Sequence, residues 1–246
     1  MFVYYPSPWI ERDWARVSGL PLQDIWFQSL DGTRLFGWYV ESSGSTGVML
    51  WCHGNAGNII HRLDNLAELY RVGISVFLFD YRGYGRSSGK PSEDGLYQDA
   101  LAAYAYLTYT RRMASERIVL FGRSLGAAVA GFVASRRPAA GLILESPFPS
   151  IKVLAKSQSF GLPAHWLLQS RYDLVERLKD IRVPILVVHG DRDTVVPIEL
   201  GRQVFDAANP PKSFFIVEGA DHNDTYLVGR KPYFARMRRF ANDVIK

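Results

Sequence analysis

Gly122-Arg123-Ser124-Leu125-Gly126 holds a serine between two glycines and fits the pattern G-x-S-x-G. A serine hydroxyl is a weak nucleophile until a histidine takes its proton, and a carboxylate must hold that histidine in one tautomer. The pattern alone is weak, because three residues of ordinary abundance match by chance in roughly one chain in ten of this length. Gly85-Arg86-Ser87-Ser88-Gly89 matches it too. Context separates the two. A working serine needs a strand just before it and a helix just after, so that the turn projects the hydroxyl and the helix N-terminus faces the developing charge. Ser124 has a strand-like run before it, residues 117–121, and a helix-like run after it, residues 125–136. Ser87 runs into Gly89-Lys90-Pro91, which does not start a helix at once. Gly122 and Gly126 permit a strained turn, and small Ala127 and Ala128 let the helix lie tight on a sheet.

With such an elbow the acid and then the base follow the serine in the chain. Three histidines follow Ser124: His165, His189 and His222. His165 lies in a proline-rich stretch, and His189 ends a strand-like run, residues 185–189, where it packs or turns. His222 sits in the loop Gly219-Ala220-Asp221-His222-Asn223-Asp224 after the strand-like residues 214–218, which is where a base belongs. For the acid, His189-Gly190-Asp191-Arg192-Asp193 offers two carboxylates. Asp191 sits early in the turn, suited to bracing it, and Asp193 lies further on, within reach of the His222 ring. Asp193 is favoured over Asp191. A metal held by His189, Asp191 and Asp193 lacks a second ligand cluster, and Asp221 and Asp224 read as loop carboxylates.

Attack on a carbonyl also builds charge on its oxygen, which preorganised backbone donors stabilise. One donor is expected at the amide of Leu125. The other is expected at Asn55, in the loop His53-Gly54-Asn55-Ala56-Gly57-Asn58. His53 reads as a strand-end histidine bonded to its loop, and Cys52 as a small buried hydrophobe.

The elements that must position these groups follow from periodicity. Residues 22–30 and 34–41 read as two strands joined at Asp31-Gly32. Residues 47–52, 74–79, 117–121, 142–145 and 185–189 are short apolar runs, and they alternate with segments of helical spacing at 59–71, from Ser92 to about 113, 125–136 and 198–207. The last helix is expected over about 225–245, interrupted near Pro232. The opening 21 residues read as irregular. Apolar strands alternating with amphipathic helices imply a mostly parallel central sheet flanked by helices, with the working residues at the carboxyl ends of the strands.

The chain has 246 residues, 48% hydrophobic and 22% charged, which excludes wholesale disorder and suits one domain spanning 1–246. A single cysteine excludes an intrachain disulfide. Apolar runs fall short of the ~18 residues of a membrane span, and the N-terminus lacks a signal-peptide pattern, so a soluble cytoplasmic protein is expected. The net charge is +5, and it is concentrated in residues 229–246, which carry six Lys/Arg and one Asp. That basic terminal helix reads chiefly as a solvated face and secondarily as a surface for weak contact with anionic lipid. No nucleic-acid signature accompanies it.

Taken together, the 53–58 loop, Phe79-Asp80-Tyr81-Arg82-Gly83-Tyr84-Gly85, the Ser124 elbow, Leu144-Glu145-Ser146-Pro147, His189-Gly190 with Asp193, and Gly219-Ala220-Asp221-His222-Asn223 resemble the α/β-hydrolase superfamily over nearly the whole chain. The nearest resemblance is to abhydrolase-domain and serine aminopeptidase-like serine hydrolases, which include lipid and thioester hydrolases. It implies a Ser124–Asp193–His222 triad, a structural role for Ser87 and no cofactor. Many of these carry an N-terminal membrane anchor or a cysteine cluster to be acylated, and neither is expected here, which argues against membrane substrates. The insertion at about 147–172 is expected to form a short lid, with Phe148, Phe160, Leu162, Trp166 and Leu167 either lining an acyl pocket or simply burying one another. Hydrolysis of carboxylic esters with small or medium acyl groups is the leading expectation. Thioesters and monoacylglycerols follow, then amides or peptides, and a catalytically idle binding protein on the same scaffold is the alternative of a different class.

Overall fold

Runs of apolar residues without alternation need cover on both faces of their sheet. In the computed structural model, which describes residues 4–157 and 170–245, that cover comes from helices on either side. The chain begins with β1 (Tyr5–Pro6), α1 (Trp14–Ser18), β2 (Leu22–Gln28), β3 (Arg34–Val40), β4 (Val48–Cys52) and β5 (Ala56–Gly57). A 3₁₀ turn (Ile59–Arg62) leads into α2 (Leu63–Arg71), β6 (Ser75–Asp80) and α3 (Glu93–Ala105). Then come β7 (Ile118–Arg123), α4 (Leu125–Ala134), β8 (Gly141–Glu145), α5 (Ile151–Ser157) and α6 (Leu174–Leu178). The chain closes with β9 (Ile185–Gly190), α7 (Ile198–Ala207), β10 (Lys212–Val217) and α8 (Thr225–Val244).

Eight strands form one sheet in the order β10-β9-β8-β7-β4-β6-β3-β2. β2 and β3 are an antiparallel hairpin, β3 runs antiparallel to β6, and the remaining neighbours are parallel. Period-2 alternation divides each central strand between two cores. In β4, Val48, Leu50 and Cys52 face the cluster that includes α3, α4 and α6, while Met49 and Trp51 face the cluster that includes α2 and α8. Gly47 to Cys52 therefore reads as one unbroken apolar run because both of its faces are dry.

The order of the strands locates the site. After β4 the chain builds β6 on one side and β7 on the other, so the strand order reverses at β4, and the carboxyl ends of β4 and β7 are where such sheets place their sites. Register aligns those ends, pairing Cys52 with Gly122, Arg123 with Glu145, and Glu145 with Val188.

Several boundaries differ from the sequence reading. The hairpin turns through a wider loop, residues 29–33, closed by the Ser29 amide to Thr33 O (3.0 Å) and the Gly32 amide to Ser29 O (2.9 Å). The helix begun at Ser92 stops at Ala105 and continues as one π-helical turn, Tyr106–Thr110. There the Thr108 hydroxyl donates back to Tyr104 O (3.1 Å), a bond that competes with the helical ladder. The opening segment is not wholly irregular: it contains α1, and β1 pairs with β5. In α8 the break falls at Arg230 (φ 42°, ψ −132°), two residues before Pro232, whose ring clashes with the carbonyl four positions back. Arg230, Lys231, Arg238 and Arg239 are exposed along α8. Among the described residues, no helix is long and apolar enough to cross a membrane.

Candidate active site

Ser124 joins β7 to α4 with φ 54° and ψ −120°, a conformation that costs an L-residue about 1–3 kcal/mol and persists only under surrounding constraint. The two glycines show where the constraint lies. A Cβ on Gly122 would collide with the Gly126 carbonyl oxygen, and one on Gly126 would collide with the carbonyl oxygen of Cys52. Both positions therefore require glycine for close approach, α4 to β7 in one case and the elbow to the end of β4 in the other. The turn is further held by the Ser124 amide donating to Glu145 O (2.8 Å).

Three side chains from distant segments meet at this turn. His222 Nε2 lies 3.1 Å from Ser124 Oγ, and His222 Nδ1 lies 2.8 Å from Asp193 Oδ2. A proton on Nδ1 donates to the carboxylate and leaves Nε2 to accept from the serine. Asp193 Oδ1 accepts from the amides of Val195 (3.0 Å) and Val196 (2.7 Å), which aims the other oxygen at His222. Burial pushes the Asp193 carboxyl up, but hydrogen bonds from His189, His222 and the Val196 amide outweigh it and hold the group well below its ordinary value. Asp193 is thus an anion beside the imidazole.

The other candidates are elsewhere. Asp191 accepts from the Gly219 amide (2.6 Å), bracing one loop against the other. Asp221 accepts from the Thr194 amide and hydroxyl and from the His222 amide, and Asp224 accepts from the Asp221 amide. Ser87 is buried, its hydroxyl donating to Asp80 O (2.7 Å) and accepting from the Phe36 amide (2.9 Å). His53 is fully buried, donates from Nδ1 to Gly54 O (2.7 Å) and packs its ring at a tilt against Tyr81. Burial pushes His53 down to about 3, so it is neutral at ordinary pH. Burial also lifts the Cys52 thiol to about 12, leaving no thiolate there.

Leu125 opens α4, so its amide is among those a helix leaves without an internal partner. Asn55 stands in the loop beside the serine: a Cβ on neighbouring Gly54 would lie 3.6 Å from Ser124 Cβ. The Asn55 side chain accepts from the Tyr84 hydroxyl (3.0 Å). Phe148, a candidate for the pocket lining, is buried in the core cluster that also holds residues of α3, α4 and α6. Phe160, Leu162, Trp166 and Leu167 lie outside the described residues. Glu93, at the start of α3, accepts from the amides of Arg171 (2.5 Å) and Tyr172 (2.7 Å) and ties that stretch of chain to α3.

Sequence reasoning missed three contributors. His189 donates from Nε2 to Val196 O (2.8 Å) and lies 3.4 Å from Asp193 Oδ2, so one aspartate faces two imidazoles. Tyr84 holds the Asn55 side chain. Arg123 and Glu145 form a buried ion pair behind His222. Two had a signal: His189 reads as a strand-end histidine that packs or turns, and Arg123 and Glu145 are charged residues closing otherwise apolar strands.

No cluster of three or more metal-ligating side chains occurs among the described residues. The arrangement suits proton transfer from Ser124 Oγ to His222 Nε2.

A family model described as serine aminopeptidase S33 matches residues 44–172 and 162–225. A Mycobacterium tuberculosis protein described as uncharacterized is 40% identical over 244 residues, covering 98% of this chain and 86% of its own. The α/β-hydrolase domain-containing protein WAV2 of Arabidopsis thaliana is 33% identical, covering 92% and 80%. Among solved structures, the Pyrococcus furiosus esterase Pf2001 superposes with a TM-score of 0.81 over 100% of this chain and 99% of its own, at 21% identity.

Proposed function

The chain belongs to the serine aminopeptidase S33 family of α/β-hydrolases, and from that premise we propose that it hydrolyses carboxylic esters through an acyl intermediate on Ser124. One observation carries the reading: the unbroken line from Ser124 Oγ to His222 Nε2 (3.1 Å) and from His222 Nδ1 to Asp193 Oδ2 (2.8 Å).

Ser124 Oγ bonds to the ester carbonyl carbon as its proton passes to His222 Nε2. Asp193 balances the imidazolium so formed. The carbonyl oxygen becomes an oxyanion and accepts from the amides of Leu125 and Asn55, each donor contributing about 3 kcal/mol to the transition state. The carbon–oxygen bond to the alcohol then breaks as His222 protonates the departing oxygen. Water enters, gives a proton to His222 and bonds to the acyl carbon. Collapse of that second intermediate frees the acid as Ser124 recovers its proton. The strain at Ser124 and the held carboxylate support the reading, since both prepare this chemistry before substrate arrives.

Fluorophosphonate labelling tests it. The wild type is expected to be modified at Ser124 and Ser124→Ala to be unmodified. A folded wild type without label, as an idle binding protein would be, overturns the proposal. A panel of p-nitrophenyl esters of rising chain length, with a thioester and an aminoacyl anilide alongside, then assigns the substrate class.

A further inference from the structure

The residue before the serine is a buried arginine. Arg123 is 5% exposed and Glu145, its Cα partner across β7 and β8, is fully buried. Arg123 Nε lies 3.2 Å from Glu145 Oε1, an ion pair that is not aligned as a hydrogen bond. The Arg123 guanidinium donates from Nη2 to the backbone carbonyl of His222 and to Asn223 Oδ1 (3.3 Å). The Glu145 carboxylate accepts from the Thr225 hydroxyl on Oε1 and the Tyr233 hydroxyl on Oε2, each at 2.5 Å. Its backbone carbonyl accepts from the Ser124 amide.

Taking two charges out of water costs several kcal/mol each, and well-packed apolar residues would hold strands and helix together at less cost. What apolar residues would not supply is a fixed distance between nucleophile and base. His222 lies in a loop, and loops are the least constrained part of a fold. Here its carbonyl is tied to the side chain next to Ser124, and the helix after it is tied to Glu145 at Thr225 and Tyr233. Serine and histidine are thereby referenced to the same two residues at the ends of β7 and β8.

We infer that Arg123 and Glu145 are positioning residues that set the Ser124–His222 distance, Arg123 acting through the His222 carbonyl and Glu145 through Arg123 and the start of α8. The inference rests on the reading of Ser124 and His222 as nucleophile and base. Arginine suits the task because Nη2 reaches the His222 carbonyl while Nε stays beside the carboxylate, whereas lysine carries the charge as a single point.

The test uses the full chain and p-nitrophenyl ester turnover, at a temperature where circular dichroism shows each variant folded. Wild-type turnover and labelling at Ser124 are measured first. Their absence overturns the nucleophile reading, and the positioning role with it, before any variant is compared. Arg123→Lys and Arg123→Met are expected to lose kcat by on the order of 10²-fold, the effect of an ångström-scale misplacement of reacting groups. KM is expected to stay within about threefold, because substrate binding is untouched. A merely structural role would lower the unfolding midpoint and leave kcat per folded molecule at the wild-type value, and that result overturns the inference while the nucleophile reading stands. So does full activity in Arg123→Lys, or a rise in KM with kcat unchanged. Should both Arg123 variants fail to fold, Tyr233→Phe and Thr225→Val decide the matter. Each removes one hydroxyl from Glu145 and is expected to lower kcat several-fold at constant KM. Wild-type kcat in both overturns the inference.

Discussion

Replacing Asp193 by asparagine changes no side-chain volume to speak of, yet it reverses one hydrogen bond. Asp193 Oδ1 accepts from the amides of Val195 and Val196, so the oxygen of the asparagine must occupy that position. The flipped rotamer would set an NH₂ group against two N–H donors and forfeit both bonds, at about 1 kcal/mol each and more for donors left unsatisfied. The amide nitrogen is therefore forced to the place of Oδ2, 2.8 Å from His222 Nδ1. There it donates, the imidazole keeps its proton on Nε2, and Ser124 faces a donor where it needs an acceptor. The expected loss in kcat is about 10⁴-fold, the scale of this kind of tautomer reversal, which corresponds to about 5.5 kcal/mol of barrier. The assay is p-nitrophenyl ester turnover with active-site titration, alongside Asp191→Asn. Asp191 accepts only from the Gly219 amide among its described bonds, and an asparagine oxygen does the same, so that variant is expected to stay near wild-type turnover. Asp193→Asn within tenfold of the wild type, or an equal loss in Asp191→Asn, would refute the orientation argument.

Ser87→Ala is expected to keep fluorophosphonate labelling at Ser124 while lowering stability by about 1–3 kcal/mol, since it strands the buried Phe36 amide. Labelling lost in a folded variant counts against the separation of the two G-x-S-x-G sites. Asp80 carries a pH signature: burial lifts its carboxyl to about 7 in the folded chain, against roughly 3.9 when unfolded. Between those values the native state binds the extra proton, so this group's contribution to stability is present below about pH 4 and is lost as pH rises through 7. Asp80→Asn lacks that loss. Its stability relative to the wild type is expected to grow by about 1 kcal/mol or more between pH 5 and pH 8 in urea titrations. A gap that stays flat across that range would sink the assignment.

The layout was readable because its signals are local. Unbroken apolar runs mark strands dry on both faces. Gly122 and Gly126 mark a turn with no room for a Cβ. Pro91 closes off the Ser87 alternative. The choice of Asp193 and His222 needed one step more, the rule that chemistry gathers at the carboxyl ends of parallel strands. Boundaries were less legible, because Thr108 turning back on the α3 ladder and the backbone break at Arg230 depend on how each segment meets its neighbours.

From the chain alone came the candidate serine, acid and base proposed above and the kind of sheet that carries them, since turn chemistry and hydrophobic period are properties of a few consecutive residues. Folding in three dimensions determined which groups stand behind them. His189 beside Asp193, Tyr84 on Asn55 and Arg123 on the His222 carbonyl are separated by 4, 29 and 99 positions. Their meeting depends on strand register and on the path of each loop, and one residue of slip in a parallel pair would turn the Arg123 side chain to the other face of the sheet.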